Sequence, residues 1–211
     1  MRLDQWIQHL TGLSRMAAED APRLPPDRTL LSGERGEQLL WRACAGEATP
    51  WRERVLREVE PVRAPLLQPD AYLAIEVWAE CELSALHALH RLARGPEGDG
   101  GLRARPEARP EPRLETRLEA RLEGAILWHL EHTQPDNSTN RPWALHAFLL
   151  LAEARGPDDG LAREAALYAE TLLHNMVATD ARDEPLSRWI LADAARELAR
   201  FRAPPSPQSP D

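Results

Sequence analysis

The chain has 211 residues, of which 43% are hydrophobic and 28% charged, a composition typical of globular domains. Its 26 basic residues, all arginine, are outnumbered by 34 acidic residues, and the formal charge of −8 argues against a nucleic-acid-binding protein, which needs a basic face. Two cysteines exclude a disulfide framework, and no apolar run approaches the roughly 18 residues of a membrane span. We therefore expect a cytoplasmic protein that binds neither nucleic acid nor membrane.

The N-terminal third predicts short helices separated by proline-rich connections. Leu3, Trp6 and Leu10 recur at helical spacing and predict an amphipathic helix that packs onto a core. The proline-rich stretch 21–33 predicts a connection, and two further helices are expected at about 34–46 and 50–60. Together these elements form the N-terminal helical part, residues 1–64.

The middle of the chain predicts two longer helices around a low-complexity insert. A helical run begins after Pro69 and stops at Gly95. Residues 104–123 then form five tandem tetrapeptides, in which proline first forbids a helix and leucine later permits one. We expect a flexible insert at 96–112 and a helix from about 113 to 133. Because like charges repeat at i,i+4 on this helix, it is a poor candidate for a site.

A longer repeat is visible when residues 121–133 are aligned with residues 163–175. Each segment ends a helix with a histidine, His132 or His174, and the chain then resumes at a proline, Pro142 or Pro185. The separation is about 42 residues, a length typical of stacked helical hairpins. The sequence therefore predicts a hairpin repeat.

Such hairpins resemble the units of α/α toroids, as in terpene cyclases and six-hairpin glycosidases, and of open α-solenoids. The resemblance is architectural, covers residues 70–202 and includes no catalytic motif of either family, so it assigns no family and implies no activity. We predict a single all-α domain over residues 1–202, with seven or eight helices. Its hairpin-repeat core, residues 69–202, would form an α/α solenoid or a partial toroid-like bundle, and residues 203–211 a disordered tail.

Two HxxH pairs raise the question of a metal site. His87 and His90 lie one turn apart on one predicted helix, and His129 and His132 on another, so facing pairs could bind zinc or iron. Diiron bundles, however, use Glu-x-x-His, which does not occur in this sequence. We therefore predict no metal and no cofactor. If a metal did bind, these four histidines would be its ligands.

A second polar stripe runs along the predicted helix after Pro69. Glu76, Glu80, His87 and His90 follow one another at helical spacing and could form an acid–base pair with shifted pKa values. Such a stripe is more often a solvated face or a line of hydrogen bonds between packed helices, and we favour that interpretation.

The polar loop at 133–140 separates two apolar runs and contains the candidate ligand-binding residues. Thr139 or Asn140 is expected to cap a helix that enters through Pro142. Free amides at that helix start, with Arg141 beside them, could bind an anion. The predicted ligand-binding residues of this loop and the helix start are Asn137, Asn140, Arg141 and Trp143.

The sequence leaves two functional hypotheses open. The favoured one is a non-catalytic binding or scaffold module that engages a protein partner or small-molecule ligand at the hairpin loop ends, with homo-oligomerisation as an option. The competing hypothesis is a hydrolase or lyase, metal-dependent or not, built around residues 129–146 and His174. Its catalytic candidates, which would have to share one cavity, are His132, His146, His174 and Asp136, with His129 and Asn140 nearby.

Overall fold

The computed structural model describes residues 1–47, 63–68, 74–94, 112–135 and 139–202. Within these residues all regular structure is helical, which confirms the predicted all-α class. The seven α-helices are α1 (Leu3–Ser14), α2 (Gly36–Cys44), α3 (Ile75–Arg94), α4 (Pro112–His132), α5 (Leu145–Arg155), α6 (Gly160–Ala178) and α7 (Pro185–Arg202). The predicted helix at 50–60, the insert at 96–112 apart from Pro112, and the tail at 203–211 lie outside the described residues.

The first and last helices of the described chain pack against each other. Trp6 and Leu10 of α1 are buried, as the helical spacing of the sequence predicts, and α1 makes one of its largest interfaces with α7. In an open solenoid each unit contacts only its neighbours along the chain. The contact between α1 and α7 is therefore not one that neighbour-only stacking produces.

Side chains of α7 donate hydrogen bonds to backbone carbonyl groups of the connection after α1. Arg196 donates from its guanidinium to the carbonyl oxygens of Ala18 and Ala21, at 3.0 and 2.8 Å. The Trp189 indole N–H donates to the carbonyl of Pro22 at 2.6 Å. These contacts satisfy carbonyl groups of a connection whose prolines prevent regular structure.

Helix α5 lies at the centre of the fold. Residues 145–151 are all buried, consistent with a sequence that is apolar all round. The helix ends at Gly156, whose φ of +85° favours glycine, and a short turn leads into α6. Asp159 caps α6 by accepting a hydrogen bond from the Leu161 amide at 2.7 Å.

Helix α5 begins three residues later than predicted, and the expected caps have other roles. The Thr139 hydroxyl accepts from the Arg141 amide at 3.0 Å and donates to the Arg141 carbonyl at 3.2 Å, which makes a local turn. Ala144 then adopts a left-handed conformation, with a φ of +55°, before the helix starts at Leu145. By contrast, α7 does begin at its predicted proline, Pro185.

Among the described residues no helix has both the length and the apolar character that crossing a membrane requires.

Candidate functional site

The centre of the protein contains three tryptophans arranged around one histidine. Trp41, Trp143 and Trp189 are each at most 1% exposed, and their ring centroids are 5.6 to 6.4 Å apart. The His87 ring lies 5.5 to 5.9 Å from all three. Trp143 and Trp189, which the sequence places beside polar loops, are therefore core residues.

Both ring nitrogens of His87 are occupied. Its Nε2 lies 2.9 Å from Asp193 Oδ2, and its Nδ1 lies 3.2 Å from the backbone nitrogen of Ala144. Because an amide N–H can only donate, Nδ1 is the acceptor, so Nε2 carries the proton and donates to Asp193. His87 is a neutral imidazole with no nitrogen left for a metal or substrate, and it supports the strained backbone of Ala144.

Asp193 is a fully buried carboxylate between α3 and α7. Its Oδ1 accepts a hydrogen bond from Arg91, and Arg196 lies 3.6 Å away. Burial by itself raises the pKa of Asp193, but the hydrogen bond from His87 and the charge of Arg91 outweigh it and lower the pKa to about 2. The carboxylate is thus ionised at neutral pH and paired inside the protein.

Three of the predicted histidines do meet in the core. His146 lies between His87 and His90, with ring centroids 4.4 Å from each, and all three side chains are buried. The rings pack edge to face. Across the part of the chain that the structure describes, no group of three His, Cys, Asp or Glu side chains is arranged to hold a metal ion.

A second buried polar cluster joins α3, α4 and α6. His129 is 1% exposed, with Nδ1 3.1 Å from the Thr133 hydroxyl and Nε2 3.5 Å from Glu82 Oε1. The same hydroxyl lies 2.7 Å from the Tyr168 phenol, and burial raises the pKa of Tyr168 to about 12. Tyr168 therefore keeps its proton. Because the Thr133 hydroxyl donates to the His129 carbonyl at 3.0 Å, the phenol is the donor of the hydrogen bond to Thr133.

The remaining catalytic candidates lie at the surface or outside the described residues. His132 is exposed, stacks on Trp128 at 5.0 Å and bonds the Trp128 carbonyl through Nδ1. His174 is also exposed, whereas His146 is fully buried. The structure therefore does not bring these three histidines into a shared environment. Asp136 and Asn137 are not among the described residues.

The predicted ligand-binding residues are also divided. Asn140 is exposed and Trp143 belongs to the tryptophan centre. Arg141 pairs with Glu80 of α3 and with Glu184, which lies 2.9 Å away just before α7. Burial lowers the pKa of Arg141, but the two carboxylates outweigh it and raise it. Two carboxylates compensate the charge of Arg141, and the Ala144 amide is bonded to His87. These groups therefore do not form the expected anion site.

These contacts bring together the loop between α4 and α5 and the loop between α6 and α7. Arg141 of the first loop pairs with Glu184 of the second, and the Asn175 side-chain amide donates to the Pro135 carbonyl at 2.5 Å. We call this region the loop-end surface. Its residues are His132, Pro135, Asn140, Arg141, His174, Asn175 and Glu184.

No family model, curated protein or solved structure matches this chain. The candidate site therefore rests on side-chain geometry. Cys81 adds no thiolate to it, because burial, followed by the nearby charge of Glu37, raises the pKa of Cys81 to about 12 and keeps its thiol protonated.

Sequence patterns missed the charged side chains that organise both buried clusters. The predicted site residues do not include Glu82, Arg91, Asp193 or Arg121. Arg121 is one of the like charges repeated at i,i+4, which made its helix a poor candidate for a site. One signal was available for Asp193, the single charged residue in the apolar stretch 189–195 of α7. A lone carboxylate on a buried helix face implies a buried partner.

Proposed function

We propose that this protein is a non-catalytic helical binding or scaffold module and that its loop-end surface binds a protein partner or a small molecule. The observation that carries the proposal is that the three predicted catalytic histidines do not share one environment, since His146 is fully buried whereas His132 and His174 are exposed. A general base or metal ligand needs a free nitrogen within reach of the reacting group. The exposed polar groups, among them Asn140 and His174, are instead at the loop ends.

We also infer that the two loops are equivalent ends of repeated hairpins. Arg141 directly precedes Pro142, Glu184 directly precedes Pro185, and the two positions are 43 residues apart in the sequence. Residues at equivalent places in adjacent units thus have opposite charges and form an ion pair. Such pairing between neighbouring repeats supports a composite surface made from two loop ends.

The proposal can be tested by photo-crosslinking from the full chain in its native cells. A photoreactive amino acid replaces the exposed Asn140 in one variant and, as the control, the exposed Glu164 near the opposite end of α6 in the other. We expect one partner to be captured from position 140 and not from position 164. The purified partner should then bind wild-type protein and lose about tenfold affinity with Asn140→Arg, but not with Glu164→Arg.

Two results would contradict this function. Identical cross-linked products from both positions would mean that the loop ends have no special role. Stoichiometric zinc, iron or manganese in the purified protein, lost when His129 and His132 are replaced, would favour the metal-dependent hydrolase or lyase instead.

A further inference from the structure

The hydrogen bonds around His129 fix which of its ring nitrogens carries a proton. The Thr133 hydroxyl has a single proton, which it donates to the His129 carbonyl at 3.0 Å. The same hydroxyl oxygen accepts from the Tyr168 phenol at 2.7 Å. Its contact with His129 Nδ1, at 3.1 Å, is therefore one in which the ring nitrogen donates. In the neutral ring, Nδ1 carries the proton and Nε2 carries a lone pair.

The lone pair of Nε2 faces a buried carboxylate. Nε2 lies 3.5 Å from Glu82 Oε1, and both side chains are at most 1% exposed. Glu82 accepts hydrogen bonds from the Leu66 amide at Oε1 and from the Leu67 amide at Oε2, each at 2.6 Å. Hydrogen bonds from two amides favour the ionised form of a carboxyl group. The neutral ring thus directs a lone pair at a negatively charged oxygen, which is an unfavourable contact.

A second proton on His129 makes this contact favourable. Protonated Nε2 is a charged donor, and Glu82 Oε1 has two lone pairs, of which the Leu66 amide uses one. A shift of about 0.6 Å brings the two atoms to hydrogen-bond distance. The proton would also give a partner to a buried nitrogen that has none among the described residues. Hydrogen bonds between charged groups are stronger than those between neutral groups.

The other groups around the ring leave Glu82 as its counter-ion. Burial raises the pKa of Tyr168 on α6 to about 12, so this phenol stays uncharged where histidines titrate. From α5 the ring meets Phe148, which is apolar, at 6.2 Å between ring centroids. Arg121, on the same helix as His129, also interacts with Glu82 and opposes a second cation. Its guanidinium, however, is directed at carbonyl oxygens of the stretch 63–68.

We propose that His129 is a pH-dependent switch whose second proton forms a buried ion pair with Glu82 and weakens the hydrogen bond between this carboxylate and the Leu66 amide. Residues 63–68 stay in place in both states. The change is confined to Oε1, which the protonated ring and Leu66 share, whereas Leu67 bonds to Oε2. A buried ring thereby alters a half-exposed segment when the pH changes. The switch does not depend on the function proposed for the loop-end surface.

The first experiment is a pH titration of the full wild-type chain by nuclear magnetic resonance, from about pH 8 to 5. The nitrogen shifts of the His129 ring report which nitrogens carry protons. We expect a proton on Nδ1 alone at the alkaline end and a second proton on Nε2 after acidification. The Leu66 amide proton should shift with the same midpoint as the ring, and further than the Leu67 amide. A neutral ring protonated on Nε2, or a Leu66 amide that does not follow the ring, would overturn the proposal.

The second experiment tests the counter-ion with Glu82→Gln. A carboxylate this close to a histidine favours the charged ring, so its loss should lower the midpoint of the His129 titration by about one pH unit. Glu76→Gln, at an exposed position on the same helix, is the matched control and should leave the midpoint unchanged. The midpoint of the exposed His174 should be the same in both variants and in wild type. Equal His129 midpoints with and without the Glu82 charge would contradict the proposed ion pair.

A third measurement, on wild type, locates the proton even if Glu82→Gln does not fold. The chemical shift of the Glu82 carboxyl carbon distinguishes an ionised carboxylate from a neutral acid. We expect the shift of a carboxylate throughout the titration, because the proton is bound by the ring. A neutral Glu82 that donates to Nε2 would satisfy the same two atoms without charging His129, and this result rejects the switch. So does a ring that stays neutral at every pH at which the protein is folded.

Discussion

Two carboxylates on neighbouring elements, Asp193 and Glu82, are equally buried and yet have different partners. Asp193 bonds to His87 and Arg91, two side chains of one core helix. Glu82 bonds to backbone amides of a half-exposed stretch. The first carboxylate fixes one helix to another, and the second fixes a half-exposed segment to a helix. Burial of a charge alone therefore does not tell which kind of element that charge holds in place.

The difference extends to the chemistry of each region. In the tryptophan centre every hydrogen-bonding position of His87 is used, and the carboxylate that it contacts stays ionised. Next to Glu82, His129 retains a buried nitrogen without a hydrogen bond in the described part of the chain. Trp143, in the tryptophan centre, likewise has a buried indole nitrogen without a hydrogen bond there, so an unpartnered atom does not by itself mark a binding site.

The largest expected effect is that of Asp193→Asn. The substitution removes the charge that compensates the largely buried Arg91, and loss of one partner from a buried pair costs about 3 to 5 kcal/mol. Urea unfolding at neutral pH measures the loss in the free energy of unfolding. Asp158→Asn, at an exposed position, serves as the control and should leave that free energy unchanged. A tolerated Asp193→Asn would mean that the tryptophan centre does not organise the fold.

A smaller effect is expected from acid. The folded-state pKa of Asp193 is lowered to about 2 from an ordinary value near 3.8, so its ionised form favours the folded state. This contribution is complete above about pH 4 and is lost as the pH falls toward 2. At about 1.4 kcal/mol per pKa unit it amounts to about 2 kcal/mol. Urea unfolding across this range should therefore show wild type and Asp193→Asn converging; a constant difference would contradict the assignment.

Replacement of the other carboxylate, Glu82→Gln, should cost less. The amide retains one oxygen to accept from Leu66 or Leu67 but leaves the second N–H without its partner, a loss of about 1 to 2 kcal/mol. Urea unfolding compares it directly with Asp193→Asn. If both substitutions cost the same, residues 63–68 are as much a part of the core as α7, and the contrast between the two regions disappears.

The smallest effect is expected at the loop-end surface. Arg141→Ala removes ion pairs with Glu80 and Glu184 that are partly open to solvent, and such pairs contribute about 1 kcal/mol or less. The loss should shrink in high salt, because ions screen exposed charges. Arg155→Ala, which breaks a single exposed pair with Glu123, should cost less still. Salt-independent destabilisation by Arg141→Ala would place this arginine with the buried groups.

Helix positions were largely predictable because they depend on local rules. The spacing of Trp6 and Leu10 predicts α1, and the change from proline to leucine in the tetrapeptides predicts the start of α4 within one residue. Pro185 likewise begins α7. The start of α5 was not predictable, because Ala144 adopts a left-handed conformation that no local preference of alanine supports. Its amide bonds to His87, a residue 57 positions away.

The residues of the site were only partly predictable, because their hydrogen-bond partners are also distant in the chain. Local sequence marks histidines and polar loops, and it identified His87, His129 and Arg141 as unusual. It could not determine that Asp193 occupies one nitrogen of His87, or that Arg121 contacts residues 63–68, because such partners are distant in the chain and become neighbours only when the helices pack.

The sequence by itself determined the all-α class, most helix boundaries and the recurrence of a histidine and a proline after about 42 residues. These follow from periodicity, proline and glycine, which act over a few residues. Only the tertiary structure decided which polar side chains are buried, which carboxylate serves the core and which binds a surface segment. Burial and hydrogen-bond partnership are properties of packed helices, and the same glutamate or histidine has a different role in each environment.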